Sequence, residues 1–563
     1  MPARETVSDV FLETLQELGI RYIFANLGTD YAPIVETIAK YRDEGLPLPE
    51  ILLCPHENTA ITAAHGYALA TGQGQGVFVH VGVGTQNLGG ALQNAWSARV
   101  PLLIFAGRTP LSTRGERLGG RDNPIHYFQD VRDQPGIIRQ YCKWEFALEL
   151  PEQVGYALQR GVRLMQSEPK GAIYVTAARE VLAMPVGEMI SDSPDRCSPS
   201  VLGELPGEAA ARLAEALWRA ERPLIVTTYL GRHLEAVSHL VALSEALKVP
   251  VVETVPTHLN FPRDHAHHWG FLGERVVGEA DFVLLLDTDV PWIAKHAAPG
   301  RDVPVVQLDV DPVKPHITMW DFPVTESHWV ETRAALPKVV ECVKRLPNWA
   351  PARAQARQEW LDSKRLEPPP PMRDGKMTVQ SLSLFLGEAL GQEVVIFDEG
   401  VTNSNPIRRF TRRTRPGSYF GLPGGSLGWG GGAALGYKLA RPEAEVAWLV
   451  GDGSYFFRVP SSLYMTAVRY GVPFLTVIYN NQGWNAVKMA TERVYGRTGI
   501  AAQTGQYLHE LAPTGHLEQV AGAFGCFAAG VDSLDALQDA FNEGRKAVAA
   551  GRPAVINALL SAD

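Results

Sequence analysis

The sequence has little of what would mark a stapled module, a membrane bundle or a nucleic-acid binder. Cysteine is scarce: Cys54, Cys142, Cys197, Cys342 and Cys526 are odd in number, scattered and without a C-x-x-C pair. That argues against a disulfide framework or a zinc cluster and leaves reduced packing thiols. Long apolar runs are missing as well. PLLIFAG (101–107) and DFVLLLD (281–287) fall far short of the roughly 18 residues a membrane span needs, so no segment is expected to cross a bilayer. There is no basic run; 52 Lys and Arg stand against 61 Asp and Glu, a net charge of −9, and no nucleic-acid partner is expected. The N-terminal MPARETVSDVFLETL lacks the apolar stretch of a signal peptide, so the expected location is cytoplasmic.

What remains reads as a large α/β protein. At roughly 100–200 residues per domain, 563 residues suggest about three domains. Two segments break the alternation of short Val/Ile/Leu runs and amphipathic stretches: Val181 to Pro206, and Pro347 to Lys376 with its consecutive Pro368 to Pro371. Proline runs favour extended geometry, and both segments read as connections. They bound three domains at 1–185, 206–346 and 375–563. Runs such as RPLIVTTY, VPVVETV, ADFVLLLD and VPVVQLD, each followed by a helical stretch, are the pattern of a parallel sheet with helices on both faces. The expected fold class is α/β, with three doubly wound parallel-sheet domains. The middle one has YLGRH after its first strand in place of a full G-x-G-x-x-G, so no dinucleotide site is supported there.

An internal repeat ties the outer domains together. HGYALATGQGQGVFVHVGVGTQN, followed by VPLLIFAG, parallels LGYKLARPEAEVAWLVGDGSYFF, followed by VPFLTVIYNN. Gly66-Tyr67 stands 35 residues before Pro101, and Gly436-Tyr437 stands 37 before Pro473. Both copies read helix, strand, glycine turn, helix, strand, which predicts a shared fold.

The chemistry is expected at the carboxyl ends of the strands, where open α/β sheets bind ligands. EVAWLV runs into Gly451-Asp452-Gly453-Ser454, and PFLTVIY runs into Asn480-Asn481-Gln482-Gly483. An aspartate and an asparagine at neighbouring strand ends can direct oxygens at one hard cation, while the glycines let backbone approach a phosphate. Few protein oxygens suit Mg²⁺, which shares its octahedron with water and phosphate, so a diphosphate ligand is expected. Alone, GDGS is as readily a tight turn; joined to NN-x-G about 27 residues on, it points to a site.

With these motifs the chain resembles the thiamine-diphosphate enzymes of the acetolactate synthase and benzoylformate decarboxylase group, along essentially its whole length. The resemblance implies Asp452, Asn481 and the Gly483 carbonyl as metal ligands. It makes Glu57 of Pro55-His56-Glu57-Asn58 the catalytic carboxylate on the aminopyrimidine, a position that would otherwise read as a helix-capping anion. In PGSYFGLPGGSLGWGGGAALG it implies Leu427 under the cofactor and the Gly425 carbonyl on its 4′-amino group. Gly453, Ser454 and, less directly, Thr402 would contact the diphosphate. It also implies active sites between subunits, hence a homodimer or homotetramer.

The reaction is expected to begin with decarboxylation of a 2-oxo acid, and two segments then diverge. HVGVGTQN, beginning at His80, looks like the segment with which benzoylformate decarboxylase places a catalytic histidine, a residue type suited to proton transfer near neutral pH; a strand-end histidine bonded to backbone is the other reading. HYFQDVRDQPG resembles the Phe-Gln-Glu segment of acetolactate synthases and would put Phe128 and Gln129 near the substrate, with Asp130 in place of the usual glutamate. In FPRDHAHHWGFLG, His265 matches a decarboxylase histidine; the cluster of His265, His267 and His268 could suggest a metal, but its spacing fits no helix face and no carboxylate or cysteine pattern accompanies it, so a solvated loop is the preferred reading. Trp484 either shapes the pocket or packs. The first expectation is thus carboligation of the enamine to a second carbonyl, as in acetolactate synthase; the alternative is a decarboxylase releasing an aldehyde. FAD is possible in such enzymes but is not supported by any motif here.

Overall fold

A computed structural model describes residues 5–187, 197–271, 273, 276–364 and 376–561; Pro368 to Pro371 lie outside the described residues. Three parallel-sheet α/β domains are present, as the apolar runs require. In the N-terminal one, β1 (Tyr22–Asn26), β2 (Glu50–Leu53), β3 (Gln75–Val79), β4 (Leu102–Arg108), β5 (Trp144–Leu148) and β6 (Ala172–Ala178) form a sheet of order β2-β1-β3-β4-β6-β5. Its central strands β3 and β6 are buried along their whole length, which is why they carry unbroken apolar runs.

The central domain has β7 (Pro223–Thr227), β8 (Val251–Glu253), β9 (Phe282–Leu286), β10 (Val305–Asp309) and β11 (Glu326–Trp329) in the order β11-β10-β9-β7-β8. Part of the supposed second connection belongs to it. Pro351–Asp362 is a helix, entered through a proline at its first turn, and Trp360 donates its indole N–H to the Pro223 carbonyl at 3.1 Å. The polar composition concealed a helix that buries only Arg357, Trp360 and Leu361.

The C-terminal segment carries the pair β12 (Val395–Glu399) and β13 (Tyr419–Gly421), then β14 (Val446–Gly451), β15 (Leu475–Asn480), β16 (Phe527–Val531) and β17 (Ala554–Leu559), all paired in parallel. The order β14-β15-β17-β16 repeats β3-β4-β6-β5, so the sequence repeat is a repeat of topology.

Contacts group the chain into two compact units: Met1–Ser200 with Leu422–Leu560, and Val201–Gly421 with the last three residues. The first unit has a local cause. Helix Glu57–Thr71 crosses helix Gly430–Ala440 at glycines, with a Cβ on Gly66 running into the Ala433 carbonyl and one on Gly436 into the Ala63 carbonyl. Among the described residues, no helix is long and apolar enough to cross a membrane.

Candidate active site

β14 delivers Asp452 as the first residue of helix Asp452–Phe457, 2% exposed. Its carboxylate accepts from the backbone N–H of Gly453 at 2.9 Å and of Gly483 at 3.0 Å. Burial raises its pKa to about 6 despite these amides. A buried carboxylate served by amides alone suits a cation, which would offset the cost of burying its charge. β15 ends one residue short of the second ligand candidate: Asn480 is buried and bonded to Thr514 and Asn557, whereas the Oδ1 of Asn481 accepts from the Gly483 N–H at 3.2 Å. The Gly483 amide therefore bridges the Asp452 carboxylate and the Asn481 amide oxygen, and these three sequence-identified residues do come together. Gln482 makes the reversal with φ +57°, and the segment at 509–511 straps it through Trp484 N–H to the His509 carbonyl, 2.7 Å, and Leu511 N–H to the Gln482 carbonyl, 2.8 Å. Trp484 lies over Gly453, since a Cβ there would strike the indole. The indole thus roofs the glycine turn while remaining 39% exposed.

The glycine-rich stretch is held in place. Asn94 accepts from the Ser426 N–H at 3.1 Å and donates to the Ser426 carbonyl at 2.7 Å. Gly428, at φ +85°, lies against the Phe457 carbonyl, where any Cβ would collide. Gly425 is exposed, at φ +82°, with open space where a side chain would be. Leu427 follows partly exposed, and Ser454 is buried. Thr402 sits in the second unit, in the short turn Val401–Asn403 after β12.

Glu57 is the first residue of helix Glu57–Thr71, capped by the His56 ring accepting from the Asn58 N–H at 3.0 Å. It is 7% exposed. Asn87 donates to one of its carboxylate oxygens at 3.0 Å; the other faces Gly84, where a Cβ would approach to 3.2 Å. A buried carboxylate with one side-chain donor is suited to hold a proton against a ligand nitrogen.

His80 and Gln129, drawn from two different resemblances, are neighbours: the Gln129 amide nitrogen is 2.7 Å from His80 Nε2. On the other side of the ring, Nδ1 is 2.5 Å from Asp30 Oδ1. Sequence reasoning passed over Asp30, Asn87 and Asn94; the only signal for Asp30 was its polar turn at the end of an apolar strand. Phe128, beside Gln129, is 83% exposed.

His265 has its partners within the central domain: Glu245 at 3.2 Å from Nε2, and edge contacts with Phe261 and His267. The solvated-loop reading of the three histidines needs correcting. His268 is buried and bonded to Glu253 at 3.0 Å, and His267 to Ser244 at 2.8 Å. The carboxylates come from distant positions, invisible to local spacing.

Comparison with known proteins agrees with this architecture. Three family descriptions match the chain in order: thiamine pyrophosphate enzyme, N-terminal TPP binding domain (residues 5–137), central domain (210–324) and C-terminal TPP binding domain (400–558). Benzoylformate decarboxylase of Pseudomonas aeruginosa is 26% identical over 503 residues, covering 86% of this chain and 87% of that protein. The acetolactate synthase large subunit of Lactococcus lactis subsp. lactis is 23% identical over 576 residues, covering 98% and 92%. The solved structure of a 4-hydroxybenzoylformate decarboxylase from Rhodococcus jostii superimposes with a TM-score of 0.80 at 21% identity, covering 99% of both chains. Fold and loops together define a thiamine-dependent enzyme of the decarboxylase and acetolactate synthase type. The chain belongs to the thiamine pyrophosphate enzyme family.

Proposed function

We propose that the protein uses thiamine diphosphate and Mg²⁺ to convert a 2-oxo acid and a proton into an aldehyde and CO₂, with His80 as the proton donor. The observation that carries this is the ring of His80, held at Nδ1 by Asp30 and presenting Nε2 to a neutral, rotatable amide. When Nε2 takes a proton, Gln129 can turn its amide oxygen toward it, so both protonation states keep a partner.

Thiamine diphosphate, when bound, supplies the electron sink that lets the acid lose CO₂. In this reading Asp452, Asn481 and the Gly483 carbonyl hold the cation, and Gly453 and Ser454 bind the diphosphate. The Gly425 carbonyl and Leu427 orient the pyrimidine, and Glu57 holds a proton at its ring nitrogen. His265 is assigned no proton in this scheme, its Nε2 being turned to Glu245. The family resemblance supports a homodimer or homotetramer. Flavin is left out, since no motif in the sequence supports it.

A second reading, transfer of the decarboxylated fragment to another carbonyl, is favoured by one feature: in the arrangement observed, Gln129 occupies His80 Nε2. Product analysis separates the two. Protein loaded with thiamine diphosphate and Mg²⁺ is given pyruvate or benzoylformate, with Glu57→Gln as control, and products are followed by NMR. Free aldehyde supports the decarboxylase; acetolactate or another coupled product would replace it with the carboligase.

A further inference from the structure

We propose that Asp30 is the positioning residue that decides which nitrogen of His80 carries the exchangeable proton. The inference rests on the reading of His80 as the proton-transfer residue.

Asp30 is 4% exposed and lies in the turn Thr29–Tyr31 after β1. It uses both oxygens on the His80 segment: Oδ1 on the ring at 2.5 Å and Oδ2 on the Val81 N–H at 3.3 Å. Val81 has φ +25°, a region a β-branched residue rarely enters, and such strain persists only where its surroundings hold it. Two glycines make room for the pair. A Cβ on Gly28 would overlap the His80 ring, and one on Gly107, in β4, would overlap the Asp30 carboxylate. Neither glycine has a positive φ, so space is what each position requires. The neighbouring Tyr31 hydroxyl is turned away, donating to the carbonyls of Val79 and Phe105. Among the described residues, the hydrogen-bond partners of the His80 ring are Asp30 and Gln129.

The chemistry rests on what each group can donate or accept. A carboxylate only accepts, so it takes Nδ1–H and leaves the lone pair on Nε2. A proton arriving at the ring then goes to Nε2, on the Gln129 side, while Asp30 remains as counter-charge at Nδ1. An asparagine at position 30 would reverse this. The Val81 N–H needs an acceptor and would take the amide oxygen; the amide NH₂ would face Nδ1, making it an acceptor and moving the proton to Nε2. Asp30→Asn is therefore a nearly isosteric substitution with a specific consequence, the wrong tautomer, which in a related arrangement costs about 10⁴ in kcat.

The test is Asp30→Asn in the protein loaded with thiamine diphosphate and Mg²⁺. CO₂ release and product formation are measured in the wild-type and His80→Ala backgrounds, and His80 is observed by ¹⁵N NMR, assigned by its loss in His80→Ala. Expected are a loss of product formation of about 10²–10⁴-fold with KM little changed, little further effect of Asp30→Asn once His80 is absent, and movement of the ring proton from Nδ1 to Nε2. An equal loss in both backgrounds, or a proton still on Nδ1, would overturn the proposal and leave Asp30 a structural residue. If the wild type makes only coupled product, the decarboxylase reading fails. The tautomer measurement still decides the role of Asp30, because it does not depend on the product.

Discussion

Gly66 and Gly436, equivalent positions in the two copies of the repeat, each press against the backbone of the other's helix. A side chain on Gly66 would meet the Ala433 carbonyl, and one on Gly436 the Ala63 carbonyl. The start of the first helix is tied down as well: Asn58 Oδ1 accepts from Arg458 and Thr59 shares a hydroxyl contact with Ser462 at 2.7 Å, so the turn of Glu57 is joined to the segment after Asp452.

Gly66→Ala and Gly436→Ala should therefore each destabilise the protein by about 1–3 kcal/mol, the usual cost of overpacking. Gly89→Ala, where a Cβ meets nothing within 4 Å, should change stability far less. Urea unfolding of the three variants checks this, and equal midpoints would contradict the close crossing.

Glu57→Gln should lower turnover by roughly 10²–10⁴-fold, the range for loss of a general acid or base. Cofactor binding should survive, since the Asn87 contact and the helix start remain. Calorimetric titration with thiamine diphosphate beside a CO₂ assay separates the two effects.

Chelation by EDTA should abolish activity, and added Mg²⁺ should restore it. Asp452→Ala should resist restoration, with Mg²⁺-dependent cofactor affinity falling by roughly 100-fold or more, as for loss of a group that orients a metal. Full activity of Asp452→Ala in EDTA would remove the cation from the scheme.

Stability should fall on acidification, and the central domain supplies the cause. Burial would raise the pKa of Glu253, but Arg263 and His268 outweigh it and hold the carboxyl at about 2 against an ordinary 4.5. A depressed acid stabilises above its unfolded pKa, so its contribution is present above pH 4.5 and lost as pH falls toward 2. His258 is pushed to about 3 by burial and by Arg232, against an ordinary 6.5. The unfolded histidine takes a proton first, so stability drops as pH falls from 6.5 toward 3. Melting temperature should fall as pH is lowered from about 6.5 to 3, against a partial gain from Asp452, whose carboxyl is raised to about 6. Glu253→Gln should cost about 3 kcal/mol near neutrality, the cost of leaving the buried Arg263 guanidinium unpaired.

Much of the fold and the pairing of the GDGS and NN-x-G loops was legible because the signals are local. Unbroken apolar runs announce buried parallel strands, and strand ends followed by GDGS and NN-x-G announce where backbone turns at a ligand edge. The repeat was legible too, since it is a matter of spacing. The histidine cluster was misread for the opposite reason: Glu253 lies 15 residues from His268 and Glu245 lies 20 from His265, distances that carry no period.

The sequence by itself thus determined three parallel α/β domains, the repeated pattern of the outer two, and the acidic and amide residues of one loop pair, because each is written in short runs and fixed spacings. Only the tertiary structure decided that Asn94 clasps Ser426 across 332 residues, and that His80 is gripped by Asp30 and met by Gln129. Those pairings are set by sheet order, by strand register and by glycines that make room at a crossing. Such packing depends on which backbones can approach closely, and no local pattern of residues encodes it.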